Sequence, residues 1–223
     1  MLVRTMKERE GKLFHVLGVS RALYALLLTL PLLAACGSKE RAPPPYEKNP
    51  SPKEPYDLVL TVRDGPDDIQ ASSGYVSYKI ADEACLPPID NFEGVRYGTD
   101  EYTIKIPLER VNKTAFKGSF YRDGVLSKDY YGRGVCKWKV QLVGAFLETE
   151  ATKSFTYFSI STTLEDGAET RYTKKKIQPG PYDDGISPAI VISGKGFSKM
   201  VPEPQRNEYF SFNLSTTPRK DAP

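Results

Sequence analysis

The chain has 223 residues, with 31 basic against 28 acidic, one histidine and three cysteines. A net charge of +3 over this length makes no electrostatic case for nucleic acid as a partner. The single histidine, His15, excludes metal sites built on several imidazoles and makes any other histidine mechanism depend on that one position.

Arg4, Lys7, Arg9, Lys12 and Arg21 form a positive N-terminal region, followed by an apolar run from Ala22 to Leu32 that Thr29 and Pro31 interrupt. About a dozen apolar residues fall short of the roughly 20 a helix needs to cross a bilayer, so residues 1–35 read as a cleaved signal peptide. Leu33-Ala34-Ala35-Cys36 comes next. The small side chains at Ala34 and Ala35 admit an extended segment to a peptidase groove, and Cys36 offers a thiol for a thioether-linked diacylglycerol. These four residues, at this distance behind an apolar run, resemble the lipobox of bacterial lipoproteins. An ordinary secretory signal with a nearby cysteine is the plain alternative. The resemblance implies acylation of Cys36 and a lipid bilayer as the first partner, by a linkage well above the two-signal threshold for stable anchoring. Gly37 stands where an aspartate would favour the inner membrane, which implies an outer-membrane address facing the periplasm. A start at Met6 would leave this reading unchanged.

Cleavage before Cys36 would remove five basic and two acidic residues and leave 26 of each sign. It would also remove His15, and with it Ser-His-Asp and Cys-His nucleophile systems and histidine-ligated metal sites. A glycosidase-type carboxylate pair or a Ser-Lys dyad would still be chemically open, but neither has a signature in this sequence. The reading is of a protein that is not an enzyme, with no cofactor and no metal. Once Cys36 is acylated, Cys85 and Cys136 are an even pair in an oxidising compartment and read as one structural disulfide. A redox or metal-binding pair would need a CxxC spacing or further soft ligands.

Residues 36–55 read as a tether. Pro43, Pro44, Pro45, Pro50, Pro52 and Pro55 alternate with charges, a composition suited to extended chain at ~3.1 Å per residue; a proline-rich recognition ligand is the functional alternative. From Tyr56 the apolar pattern has period two: Tyr56, Leu58, Leu60 and Val62; then Val76, Tyr78 and Ile80; then Tyr102, Ile104, Ile106 and Leu108. These predict strands with one buried side. The segment Cys136, Trp138, Val140 and Leu142 predicts another, with Trp138 on the core face beside the disulfide. Further strands are expected at Phe116 to Arg122, Ser154 to Leu164, Glu169 to Ile177, Ala189 to Ser193 and Tyr209 to Ser215. Asp123-Gly124 and Asp166-Gly167 read as hairpin turns, and Pro87 to Val95 as a short helical turn.

About nine short strands without a repeat predict one all-β domain over 56–217, a two-sheet sandwich of immunoglobulin-like or transthyretin-like character, with 218–223 as a disordered tail. The Cys, Cys, Trp order departs from the Cys, Trp, Cys of antibody domains. Pro107 and Lys174-Lys175-Lys176 suggest protected edge strands, the lysines alternatively a ligand patch. Asp64, Asp67 and Asp68 read as an acidic turn rather than a calcium loop, because EF-hand alternation is missing. Recognition surface is expected in two loops that combine tyrosine, charge and glycine: Asp129, Tyr130, Tyr131 and Arg133 in one, Tyr182, Asp183 and Asp184 in the other.

The stretch Tyr78-Lys79-Ile80-Ala81-Asp82-Glu83-Ala84-Cys85, with Phe116-Lys117-Gly118-Ser119-Phe120-Tyr121 and Asp129-Tyr130-Tyr131-Gly132-Arg133-Gly134-Val135-Cys136-Lys137-Trp138, resembles a group of proteobacterial envelope lipoproteins. Some lipoproteins of that setting are immunity partners of toxins delivered by type IV secretion machines. Lipobox, spacer and β-sandwich together also resemble the outer-membrane lipoprotein of type VI secretion systems. These resemblances imply a protein partner, either a toxin or a secretion component. A structural lipoprotein of an envelope assembly is the second reading, and a histidine-independent envelope hydrolase the third.

Overall fold

The computed structural model describes residues 45–89, 92–94, 100–150, 152, 156–176 and 187–220. They build eleven strands: β1 (Pro55–Arg63), β2 (Gln70–Ile80), β3 (Glu101–Ile106), β4 (Glu109–Asn112), β5 (Ala115–Tyr121), β6 (Trp138–Glu148), β7 (Thr156–Thr162), β8 (Ala168–Lys174), β9 (Ser187–Pro188), β10 (Ile192–Ser193) and β11 (Tyr209–Pro218). One sheet has the order β10-β8-β11-β1-β5-β4 and the other β3-β2-β6-β7-β9. All pairings are antiparallel except the two-residue contact of β7 with β9. The fold is the expected all-β, two-sheet sandwich of immunoglobulin-like or transthyretin-like kind.

Strict alternation makes each strand two-faced, and the apolar faces meet. Leu58, Leu60 and Val62 of β1, Phe116 and Phe120 of β5, and Phe210, Phe212 and Leu214 of β11 pack against Val76 and Tyr78 of β2, Val143, Ala145 and Leu147 of β6, and Phe158 and Ile160 of β7. The expected faces of β1 and β2 therefore hold. On β6 the face changes partway. Ser77 pairs with Leu142 but Tyr78 pairs with Val140, leaving Gln141 as an extra residue in the ladder. Before this bulge Trp138 and Val140 point inward; after it Val143, Ala145 and Leu147 do. Leu142, expected on the core face, shares the outer face with Ser77 because a one-residue slip inverts every later side chain.

The two expected hairpin turns join different sheets instead. Asp123-Gly124 leads from β5 toward β6, and Asp166-Gly167 leads from β7 to β8. The second is a tight turn, with Gly167 at φ 69° and the Thr163 hydroxyl 2.8 Å from the Asp166 carboxylate, but its flanking strands do not pair. Another crossing, at Pro107-Leu108, connects the edge strands β3 and β4, as the proline suggested. A Cβ at Gly118 would lie 2.7 Å from Ile106 and 2.8 Å from the Pro107 carbonyl, so this crossing requires glycine beneath it. Lys174 ends a strand that lies between β10 and β11 rather than at the sheet edge. The described helical segments are a 3-10 turn at Glu83–Cys85, helix α1 at Gly194–Met200, which the sequence pattern did not predict, and a 3-10 stretch at Glu203–Glu208. Phe197 of α1 stacks on Tyr172 of β8 at 3.8 Å, an interaction that anchors a helix begun by two poor helix formers, Gly194 and Gly196.

Two segments expected outside the domain pack on it. Residues 46–54 run along the β5–β6 crossing, where Asn49 donates to the Gly124 carbonyl and the amides of Lys53 and Glu54 donate to the Asp123 carboxylate. At the other terminus Arg219 donates its amide to the Pro55 carbonyl and pairs with Asp57. That ion pair, with Lys117 at 3.3 Å, holds the Asp57 carboxyl below the usual carboxylate range.

Gly124 lies against the Tyr78 hydroxyl, which donates to the Tyr121 carbonyl; a Cβ at Gly124 would clash with the Tyr78 hydroxyl oxygen. Gly124→Ala is expected to cost about 2 kcal/mol, as overpacking does, and less than half of that in a Tyr78→Phe background where the oxygen is gone. Urea denaturation of the four proteins of this cycle tests it; equal costs in both backgrounds would mean that the hydroxyl is not the obstacle.

Candidate functional site

Of the two loops expected to recognise a partner, the one holding Tyr182, Asp183 and Asp184 lies outside the described residues, as does Cys36. The other, Asp129 to Arg133, sits at one end of the sandwich on a second, smaller core. That core consists of Tyr46, Ile80, Cys85, Leu86 and Cys136, flanked by Tyr102, Tyr130, Tyr131 and Trp138. The expected disulfide joins Cys85 to Cys136 and ties the 3-10 turn after β2 to the entry of β6. Trp138 lies beside it, as its position in the strand required. The indole nitrogen is the buried side-chain polar atom among the described residues that makes no hydrogen bond. Its ring is instead held edge-on to Tyr46, 4.6 Å between centroids.

Tyr46 organises this end. It is 7% exposed and meets the rings of Tyr102, Tyr130, Tyr131 and Trp138 in edge-to-face geometry, at 4.6 to 6.3 Å. Its hydroxyl lies 2.9 Å from that of Tyr131. Burial, and then this hydrogen bond, push the Tyr46 phenol up, so it stays neutral throughout the physiological range. Tyr130 donates to the Leu126 carbonyl at 2.7 Å and accepts from the Glu47 amide at 3.3 Å. Both loop tyrosines therefore hold residues 46–47 in place, with their rings directed toward the domain. Sequence reasoning placed Tyr46 in the tether; its one signal was an aromatic residue alone in a segment of prolines and charges.

The loop is closed at its base by a bridge between Lys128 and Cys136, whose amide donates to the Lys128 carbonyl at 3.0 Å. Within it, Asp129 accepts from the amides of Tyr131, Arg133 and Gly134 at 3.1 to 3.2 Å. Gly132 and Gly134, at φ 69° and 104°, supply the left-handed backbone that turns these amides toward one carboxylate. Desolvation pushes the Asp129 carboxyl up, but the amides of Gly134, Arg133, Tyr131 and Gly132 outweigh it and leave it below the ordinary value. The loop is thus fixed from within, and its outward groups are the exposed Arg133 side chain, whose guanidinium makes no ion pair or hydrogen bond among the described residues, and Val135, 56% exposed. Of the four residues expected to touch a partner here, the structure leaves Arg133 facing outward, gives Asp129 to the loop's own backbone, and turns Tyr130 and Tyr131 toward Tyr46. Among the described residues no cluster of three or more histidine, cysteine, aspartate or glutamate side chains could hold a metal. In the acidic turn, Asp68 accepts the Glu150 amide at 3.0 Å.

A carboxyl held below its ordinary value stabilises the loop above the carboxylate range and ceases to do so as pH falls through the lowered value. The amides of Arg133 and Gly134, both donors to Asp129, are expected to be protected from hydrogen exchange at neutral pH and to lose protection in acid, ahead of the β-sheet amides. Asp129→Asn should expose them at every pH; protection unchanged by the substitution would show that the carboxylate does not order the loop.

Comparison with protein-family models, with curated proteins and with solved structures finds no match.

Proposed function

We propose that this is a lipid-anchored binding protein of the bacterial envelope, held in the outer membrane on the periplasmic side through acylated Cys36, and that its disulfide end captures a protein partner. The observation that carries this reading is the loop from Asp129 to Gly134. A loop ordered by its own carboxylate loses little entropy on docking, and it offers an unpaired guanidinium beside an exposed valine. Arginine is among the residue types enriched at the positions that carry most of the binding energy of protein interfaces. In its finer form, the proposal makes the partner an incoming periplasmic toxin and the protein its immunity partner, in line with the sequence resemblance across Tyr75 to Leu147.

The docked segment 46–54 favours a second reading, a structural lipoprotein of a secretion or envelope assembly. With Tyr46 fixed to the domain, the chain from Cys36 to Tyr46 spans at most about 35 Å in any conformation, which suits a subunit held at a set height above its membrane.

Two substitutions test the proposal. Cys36→Ser is expected to move the protein from the membrane to the soluble periplasmic fraction. Arg133→Glu is expected to leave the thermal midpoint unchanged, to weaken a toxin complex tenfold or more, and to abolish protection when restored to cells lacking the protein. Cells that withstand their neighbours equally well with and without the protein would eliminate the immunity form. Co-purification of wild type and Arg133→Glu alike with a large membrane complex would favour the structural reading.

A further inference from the structure

The outer face of the six-stranded sheet carries a feature that the disulfide end does not explain. Where β8, β11 and β1 run side by side, six outward side chains stand in two rows across the strands. Thr61 is paired with Asn213 and Asn213 with Thr170; Arg63 is paired with Ser211 and Ser211 with Tyr172. Together they line a groove of about 280 Å³. Tyr172 is fixed as one wall by its stack on Phe197 of α1, the two rings 10° from parallel.

The chemistry of the groove is one-sided. None of the six is acidic. Asn213 Nδ2 donates to the Glu169 carbonyl at 3.1 Å and to Thr170 Oγ1 at 2.8 Å. The Thr170 hydroxyl, an acceptor there, keeps its own proton to donate, and Asn213 keeps Oδ1 as an acceptor. The hydroxyls of Thr61, Tyr172 and Ser211 make no hydrogen bond among the described residues, and the Arg63 guanidinium makes neither hydrogen bond nor ion pair there. A merely solvated sheet face looks different: further along the same face Asp57 is paired with both Lys117 and Arg219. The groove instead offers one permanent cation, four hydroxyl donors and one amide acceptor, with the cation in one row and the acceptor in the other.

The rows lie two residues apart along the strands, about 6.8 Å. In an extended chain the terminal carboxylate carbon lies roughly 6 Å from the amide nitrogen of the penultimate residue. We propose that this groove binds the C-terminal end of a short peptide, its carboxylate on Arg63, Ser211 and Tyr172 and its penultimate N–H on Asn213 Oδ1. Arginine matches a carboxylate with two parallel donors. This site is separate from the disulfide end and stands or falls apart from the function proposed above.

The test is a titration of the isotope-labelled full chain in detergent micelles, followed by NMR at the Ser211 backbone amide and the Asn213 side-chain amide. Acetyl-Ala-Ala is expected to give saturable shifts at both. Its C-terminally amidated form is expected to bind at least tenfold more weakly, as is the free acid against Arg63→Gln. Tyr172→Phe, which preserves the ring stack, is expected to lose several-fold. The proposal is overturned if acid and amide bind equally, if N-acetylmuramic acid binds more tightly than the peptide, or if no saturable shift occurs up to ~10 mM, well past the range of weak specific binding. Unchanged spectra of core residues in each variant separate loss of binding from loss of fold.

Discussion

A single buried ring joins the N-terminal segment to β3 and to the stretch from the loop into β6, parts of the chain distant in sequence from it. Tyr46 touches Trp138 at the entry of β6, Tyr102 of β3, and Tyr130 and Tyr131 of the loop, and it shares its pocket with both half-cystines. The disulfide alone would connect only the end of β2 to the start of β6. Tyr46 adds the N-terminal segment and gives the loop a floor. Burying an aromatic ring of this size removes on the order of 150–250 Å² from water, which helps to offset the ordering of a proline-rich segment that would otherwise be solvated. The charged contacts nearby, Lys128 with Glu47 and Arg122 with Glu54, lie at the surface and serve register more than stability.

Much of the sandwich was legible because alternation reports burial directly. Leu58, Leu60 and Val62 needed only a period of two to be placed on one face. The reversal on β6 was not legible, and the reason is compositional. Val140 and Leu142 continue the alternation that Cys136 and Trp138 begin, while Val143, Ala145 and Leu147 start the opposite one, so both faces are apolar across the bulge and nothing local marks Gln141 as the extra residue. The sheet crossings were hidden differently. Asp-Gly is favourable wherever the backbone must turn, and whether the next strand pairs with the last or crosses to the other sheet is decided by packing that lies outside the turn. Helix α1 was masked by its glycines; what holds it, the Phe197–Tyr172 stack, is a tertiary contact.

The candidate surfaces divide in the same way. The loop from Asp129 to Arg133 was visible as a composition, and its aspartate and glycines proved to make a self-ordered turn. Its tyrosines could not be assigned a direction, because a tyrosine in a loop serves a partner or the protein's own interior equally well. The direction here depended on Tyr46, far away in sequence and expected in the tether. The groove residues carried no local signal at all. Arg63 and Ser211 are unremarkable outward positions on separate strands until the order β8-β11-β1 sets them opposite each other.

Charge pairing links the two surfaces. After cleavage at Cys36 the chain would carry 26 charges of each sign, enough for every arginine to find a neighbour. Arg110 is held by backbone carbonyls, Arg122, Arg171 and Arg219 by carboxylates, and Arg206 by both. Among the described arginines, Arg63 and Arg133 alone have no such partner. Each stands beside a feature that constrains its surroundings, the Tyr172–Phe197 stack in one case and the Asp129 turn in the other. A free guanidinium on a mobile, solvated side chain signifies little, since exposed pairs contribute little to stability. Two that remain free, each on a surface already ordered by neighbours, are the described guanidinium groups whose charge the fold itself leaves unpaired, and for that reason both proposals rest on them.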